Sequence, residues 1–147
     1  MRQPQVMPLL IEQARKRRDE QSARVQAASQ GVQQALGTLR QLQDFRADYL
    51  RRSPASAGQA MHVDRLQDFQ RFLARLEQAI AQQRQEIERR QQVQAQAQHF
   101  LAEDQRRLMA FETLAARQAG ERERLARRRE QRETDEFAAR APRVQPY

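Results

Sequence analysis

The chain has 147 residues and a formal net charge of +8; 39% of its residues are hydrophobic, 5% aromatic and 31% charged. A compact domain of this length buries most of its unfolded surface, which so few large apolar side chains cannot do. Abundant Ala, Glu, Gln, Leu and Arg with few β-branched residues is the composition of a long helix or coiled coil, with disorder as the competing reading.

The basic excess favours acidic partners such as nucleic acid, anionic lipid or acidic protein faces. The blander reading is a solvated helix with a basic bias, because the arginines are interleaved with Glu. No Cys is present, which excludes disulfides and thiol chemistry and fits a reducing compartment. The apolar stretch Val6–Ile11 is too short for a signal-peptide core and is followed by charge. No run approaches the roughly 18 apolar residues of a membrane span. The expectation is a cytoplasmic protein with no direct membrane span.

Proline marks the elements in chain order. The prolines are Pro4, Pro8, Pro54, Pro142 and Pro146, and between them lie two long Pro-free windows. Pro is confined to helix starts, ends and loops. Helix 1 is therefore expected over about 9–52, a loop over 53–61, helix 2 over about 62–139 and a flexible tail over 140–147. The whole of 1–147 is read as one domain.

Apolar spacing decides for helix against disorder. In helix 1, Val25, Ala28, Val32, Ala35, Leu39 and Leu42 alternate steps of three and four, the signature of a coiled-coil seam. Phe45 and Tyr49 are read as continuing it after a small break in register. In helix 2, Leu66, Phe69, Leu73, Leu76 and Ile80 repeat the pattern and Ile87 extends it. A further seam runs through Ala97, Leu101, Leu108, Phe111 and Ala115, with Leu125 in phase. Gly31, Gly37 and Gly120 each cost about 1 kcal/mol relative to Ala without ending a helix.

One loop between two long helices makes an antiparallel hairpin. The fold class is thus all-α, a long antiparallel two-helix coiled-coil hairpin with helix 2 overhanging helix 1. At the helical rise the two helices are roughly 65 Å and roughly 115 Å long. Helix 1 is then expected to cover helix 2 only to about residue 108, leaving an apolar stripe beyond it for a partner.

Catalytic chemistry finds no support. His62 and His99 are far apart, no i,i+4 His–Glu set is read, and there is no Cys, so no metal ligation is expected. No Gly-rich phosphate loop and no nucleophile–base arrangement occurs, so neither a cofactor nor an enzyme activity is expected. The Asp and Glu residues are expected on solvated faces in i,i+4 pairs such as Glu86 with Arg90. The basic stretch Arg117–Arg132 is interrupted by Glu121, Glu123 and Glu130. It suits weak, salt-sensitive, non-specific phosphate attraction and no specific nucleic acid.

The richest patch flanks the loop. Thr38, Leu42, Phe45 and Tyr49 step by four, three and four on helix 1, as do Phe72, Leu76, Ala79 and Gln83 on helix 2. A two-helix seam needs one narrow stripe, which Phe69, Leu73 and Ile80 already offer. Phe72, Leu76 and Ala79 are therefore read as turned partly outward, as interface anchors are.

The segments Gln41–Tyr49, Leu66–Ile80, Arg107–Gln118 and Asp135–Arg140, taken as an ordered set, resemble the flagellar export protein family FliJ. The chain is richer in Arg than familiar members and lacks Trp. The resemblance implies a non-enzymatic stalk of the flagellar type III export apparatus. Such a stalk engages the hexameric export ATPase, links it to the membrane export gate and helps recycle export chaperones. It would sit in the cytoplasm, peripheral to the inner membrane. Also implied is an export-gate-binding face on Thr38, Leu42, Phe45, Tyr49, Phe72, Leu76, Ala79 and Gln83, of which Thr38 and Gln83 depart from the family's usual residues. Leu9, Ile11, Leu108, Phe111, Leu125 and Phe137, at the paired ends, are the candidate ATPase contacts. The alternatives are the equivalent stalk of a virulence injectisome and a basic nucleic-acid-binding coiled coil.

Overall fold

The structure is a computed structural model that describes residues 6–52 and 63–141. It consists of two helices, α1 (Val6–Arg51) and α2 (Val63–Arg140), with no strand among the described residues. The loop expected over 53–61 and nearly all of the tail expected over 140–147 lie outside the described residues. Where the tail was expected to begin, Arg140 is still helical.

Helix α1 starts three residues earlier than expected, so Pro8 falls in its first turn. Proline is tolerated there because the first N–H groups of a helix have no partner within it. Arg51 and Arg140 close the last turns, and Asp64 opens α2, each matching the helix dipole.

The contacts form two compact units, residues 17–104 and residues 1–16 with 105–147. In the first unit the helices run antiparallel, since partners rise along α2 as they fall along α1. Tyr49 stacks on Phe69, Arg46 pairs with Glu77, Gln83 meets Ala35 and Arg90 meets Gly31. The core is thin: Val32, Ala35, Leu76, Ile80 and Ile87 are its buried apolar residues.

The seam of α1 alternates threes and fours through Val25, Val32, Leu39, Arg46 and Tyr49 with no break. The expected break at Phe45 is absent because Arg46, not Phe45, occupies the seam there. Arg46 is half-buried there, and its guanidinium reaches Glu77 Oε1 at 3.0 Å. In α2 the seam likewise runs unbroken from Phe69 to Ala115, with Gln83, Arg90, Gln94 and Asp104 at the positions that apolar spacing leaves empty.

Long polar side chains fit this seam because small residues face them. Gln83 Nε2 donates to the Ala35 carbonyl at 3.0 Å, and Arg90 Nη1 donates to the Gly31 carbonyl at 2.8 Å. A helical carbonyl keeps a second lone pair after its own i+4 bond, so it accepts both. Each such bond contributes about 1 kcal/mol net. Glu86 Oε1 accepts from Arg90 Nε at 3.1 Å and fixes the guanidinium's approach.

In the other unit, Ala14 and Leu108 are buried and Arg15 pairs with Glu112 at 3.5 Å. Coverage of α2 extends to the half-buried Ala115, past the expected limit near 108, because α1 begins at Val6. From residue 116 to 141 every residue is exposed. Only short-range bonds support the helix there, such as Arg127 with Glu123 at 2.8 Å and Gln131 with Asp135 at 3.0 Å. Such pairs contribute about 0.2–0.5 kcal/mol each.

Two measurements check this. Amides between 118 and 138 should exchange with deuterium faster than those between 76 and 108, because only the latter are sealed by packing. Gly37, with open space at its Cβ position, should gain up to about 1 kcal/mol on Gly37→Ala, whereas Ile80→Ala should lose about 2 kcal/mol or more in thermal melts.

Candidate docking surfaces

Position in the heptad determines which side chains reach solvent. In the notation abcdefg, with the seam at a and d, an antiparallel pair carries both g rows along one flank and both e rows along the other. In the 17–104 unit the e row of α2 is polar: Gln70, Glu77, Arg84, Gln91 and Gln98. A shallow groove of about 380 Å³ opens on that flank between Gln43, Arg46, Glu77, Ile80, Ala81 and Arg84. It holds no nucleophile, and its carboxylate is already bonded to Arg46.

The g flank is aromatic. Phe45 of α1 meets Phe72 of α2 edge-on, with centroids 6.0 Å apart. Tyr49 lies against Phe72 at 4.5 Å and stacks on Phe69 at 4.7 Å with the rings 8° from parallel. Arrangements of this kind add about 0.5–1.5 kcal/mol per pair beyond the area they bury. Phe45 nevertheless remains 52% exposed.

The residues expected to form the gate-binding face divide. Phe45, Tyr49 and Phe72 are brought into one cluster, with Leu42, Tyr49, Phe72 and Ala79 half-buried. Thr38 is exposed, and its hydroxyl donates to the Gln34 carbonyl at 3.1 Å. Leu76 is not turned outward: at 7% exposure it belongs to the core. It stands at the meeting point of two rows, Leu73–Leu76–Ile80 and Phe72–Leu76–Ala79, and the antiparallel register assigns it to the first. Gln83 is half-buried and occupied by Ala35.

The second expected set divides as well. Leu9, Leu125 and Phe137 are exposed, Ile11 and Phe111 are half-buried, and Leu108 is buried at 5%. Leu108 is therefore core, not a free contact. On α2 in the same unit, Arg106, Met109, Ala110, Thr113, Leu114 and Arg117 make a separate shallow surface that seam analysis missed, because they lie off the a and d rows. Met109 is 66% exposed there.

No group of three or more His, Cys, Asp or Glu residues that could hold a metal occurs among the described residues. His99 does pair with Glu103 four residues on, at 3.0 Å, a His–Glu spacing that the sequence reading overlooked. Both side chains are exposed and stand alone, one exposed pair being too few ligands for a metal site. No helix among the described residues is long and apolar enough to cross a membrane.

Two paired helices with a charged flank, an aromatic flank and an exposed helical end make a coiled-coil interaction protein, one whose chemistry lies in surfaces that other molecules cover. Residues 5–146 match the family model described as flagellar FliJ protein, and the chain belongs to the FliJ family, whose members are non-enzymatic components associated with flagellar export. It is 32% identical to the flagellar FliJ protein of Escherichia coli K12 over 116 residues, 79% of each chain. It is 30% identical to the flagellar FliJ protein of Salmonella typhi over 146 residues, 99% of each chain. No solved structure matches the chain significantly.

The division of the aromatic flank gives a direct check. Phe45→Ala should cost less than about 1.5 kcal/mol of stability, because it forfeits mainly an edge-on ring contact. Leu76→Ala should cost about 2–4 kcal/mol, as a buried leucine does. Urea unfolding followed by circular dichroism separates the two.

Proposed function

We propose that this chain is a stalk-like adaptor of the flagellar type III export apparatus, engaging the hexameric export ATPase and linking it to the membrane export gate and to export chaperones. It works in the cytoplasm, peripheral to the inner membrane through that apparatus. Residues 1–147 act as one domain. The flagellar system is favoured over an injectisome because the relatives it matches over most of its length are flagellar proteins.

The observation that carries the proposal is the half-exposed aromatic cluster on one flank of paired helices that hold no catalytic constellation. Phe45 and Phe72, with Thr38, Leu42, Tyr49 and Ala79, form the gate contact. Leu76 and Gln83 support that surface from beneath, one by packing and the other by its bond to Ala35. At the other end, Leu9, Ile11, Phe111, Leu125 and Phe137 supply apolar contacts to the ATPase, and Leu108 holds α1 and α2 together there. The exposed stretch from 116 to 141, with its mixed Arg and Glu, suits the polar lumen of a ring.

Mixing the chain with the cognate export ATPase should raise ATP hydrolysis and yield a co-migrating complex. Phe45→Ala should reduce capture by the cytoplasmic domain of the export gate about tenfold or more, the loss expected of an aromatic anchor, with the melt nearly unchanged. Absence of both stimulation and co-migration would remove the ATPase part of the reading. Unaltered gate capture by the Phe45 variant would remove the gate part.

A further inference from the structure

The g flank does not end at the aromatic cluster. Along α2 of the 17–104 unit its row continues in sevens through Phe72, Ala79, Glu86, Val93 and Phe100. Val93 is 58% and Phe100 42% exposed. Between Phe69 and Asp104 they are the exposed large hydrophobic residues of α2, and Phe45 is their counterpart on α1 from Arg17 onward. Of the exposed large hydrophobic residues, those on α2 between Phe69 and Asp104 and the one on α1 from Arg17 onward thus fall on one flank, whereas the opposite row of α2 over the same stretch carries only Gln, Glu and Arg. Chance exposure would scatter these side chains over both flanks and the outer faces.

The α1 side of this flank carries small residues in its middle: Thr38 and Gly31 occupy its g row beside Ala79 and Glu86, and Arg24 follows them toward Val93. A row repeating every seven residues matches the repeat of a third helix, whose own side chains return at the same interval. An extended peptide, with its two-residue repeat, would not meet it.

Charge selects the occupant. Glu86, the one acid in the row, is engaged by both Arg89 and Arg90. Arg24 in the g row of α1 and Arg75 on the outer edge of the flank have no ion-pair partner among the described residues. A second copy of this chain would bring the same free arginines to the same rim, so self-pairing is opposed.

We infer that the flank running from Phe72 to Phe100 is a docking groove for an amphipathic helix of another protein, one whose apolar stripe is bordered by carboxylates and which lies as a third strand on the hairpin. Val93 and Phe100 anchor it, and Arg24 and Arg75 pair with its acids. This flank shares Phe72 and Ala79 with the proposed gate contact and extends beyond them to Val93 and Phe100, whose role does not depend on that assignment.

The test uses the full chain and a fluorescein-labelled peptide of about four heptads, with Leu at a and d and Glu at e and g, against a twin with Lys in place of Glu. Fluorescence anisotropy should show saturable binding of the Glu peptide and at least tenfold weaker binding of its Lys twin. Val93→Ser combined with Phe100→Ser should weaken the Glu peptide roughly tenfold or more, the loss expected for two interface anchors. Arg24→Glu, which leaves the apolar row intact, should weaken the Glu peptide and strengthen the Lys peptide. Equal affinity for the two peptides, no saturable binding, or indifference to these substitutions overturns the inference. So does a dimer in sedimentation equilibrium that the Val93 and Phe100 substitutions abolish, since the flank would then belong to a second copy. Loss of ATPase stimulation or gate capture with peptide binding retained would count against the export reading alone.

Discussion

Arg90 reaching across to the Gly31 carbonyl, and Gln83 to that of Ala35, sets the terms for the helix pair. Two helices alone can seal only a narrow stripe, and this chain has few large apolar residues to fill one. A long polar side chain at a seam position is tolerable only if the facing residue is small and a backbone acceptor lies within reach. Gly31 and Ala35 meet both conditions, and Ala35 is among the most buried residues of the chain. The cost is that buried polar groups must find partners, and the side-chain oxygen of Gln21 has none among the described residues. The benefit is register. A helix slipped by one heptad would bring Arg90 opposite Arg24 or Thr38 in place of Gly31, and its bond would be lost.

That register in turn sorts the surface. With Arg46, Gln83 and Arg90 in the seam, the exposed large apolar side chains Phe45, Val93 and Phe100 stand on one flank. The aromatic cluster is therefore a by-product of how the seam is filled as much as a feature in its own right. A hairpin whose sides differ in chemistry can offer a greasy contact and a charged contact without building a pocket for either.

Much of this was legible before folding. Both helices, their antiparallel pairing and the seam residues Val32, Ala35, Ile80 and Ile87 follow from apolar spacing. Several of the errors share one cause. Periodicity counts apolar residues, so it passes over Arg46, Gln83, Arg90 and Asp104 and reports a break where the helix has none. It also left Leu76 ambiguous, because that leucine belongs to two rows at once and only the partner helix decides between them. Leu108 was placed at an uncovered end for a different reason: Pro8 was taken to exclude the preceding residues from the helix, which shortened α1.

Tyr49, held between Phe69 and Phe72, has an optical consequence. The chain has no tryptophan, and Tyr49 is the sole tyrosine among the described residues. Its ring sits within transfer distance of two phenylalanines in a fixed, asymmetric setting. Near-ultraviolet dichroism and phenylalanine-sensitised tyrosine emission thus observe the helix junction from inside, with no label attached, and would register any molecule that pries the two helices apart at that point.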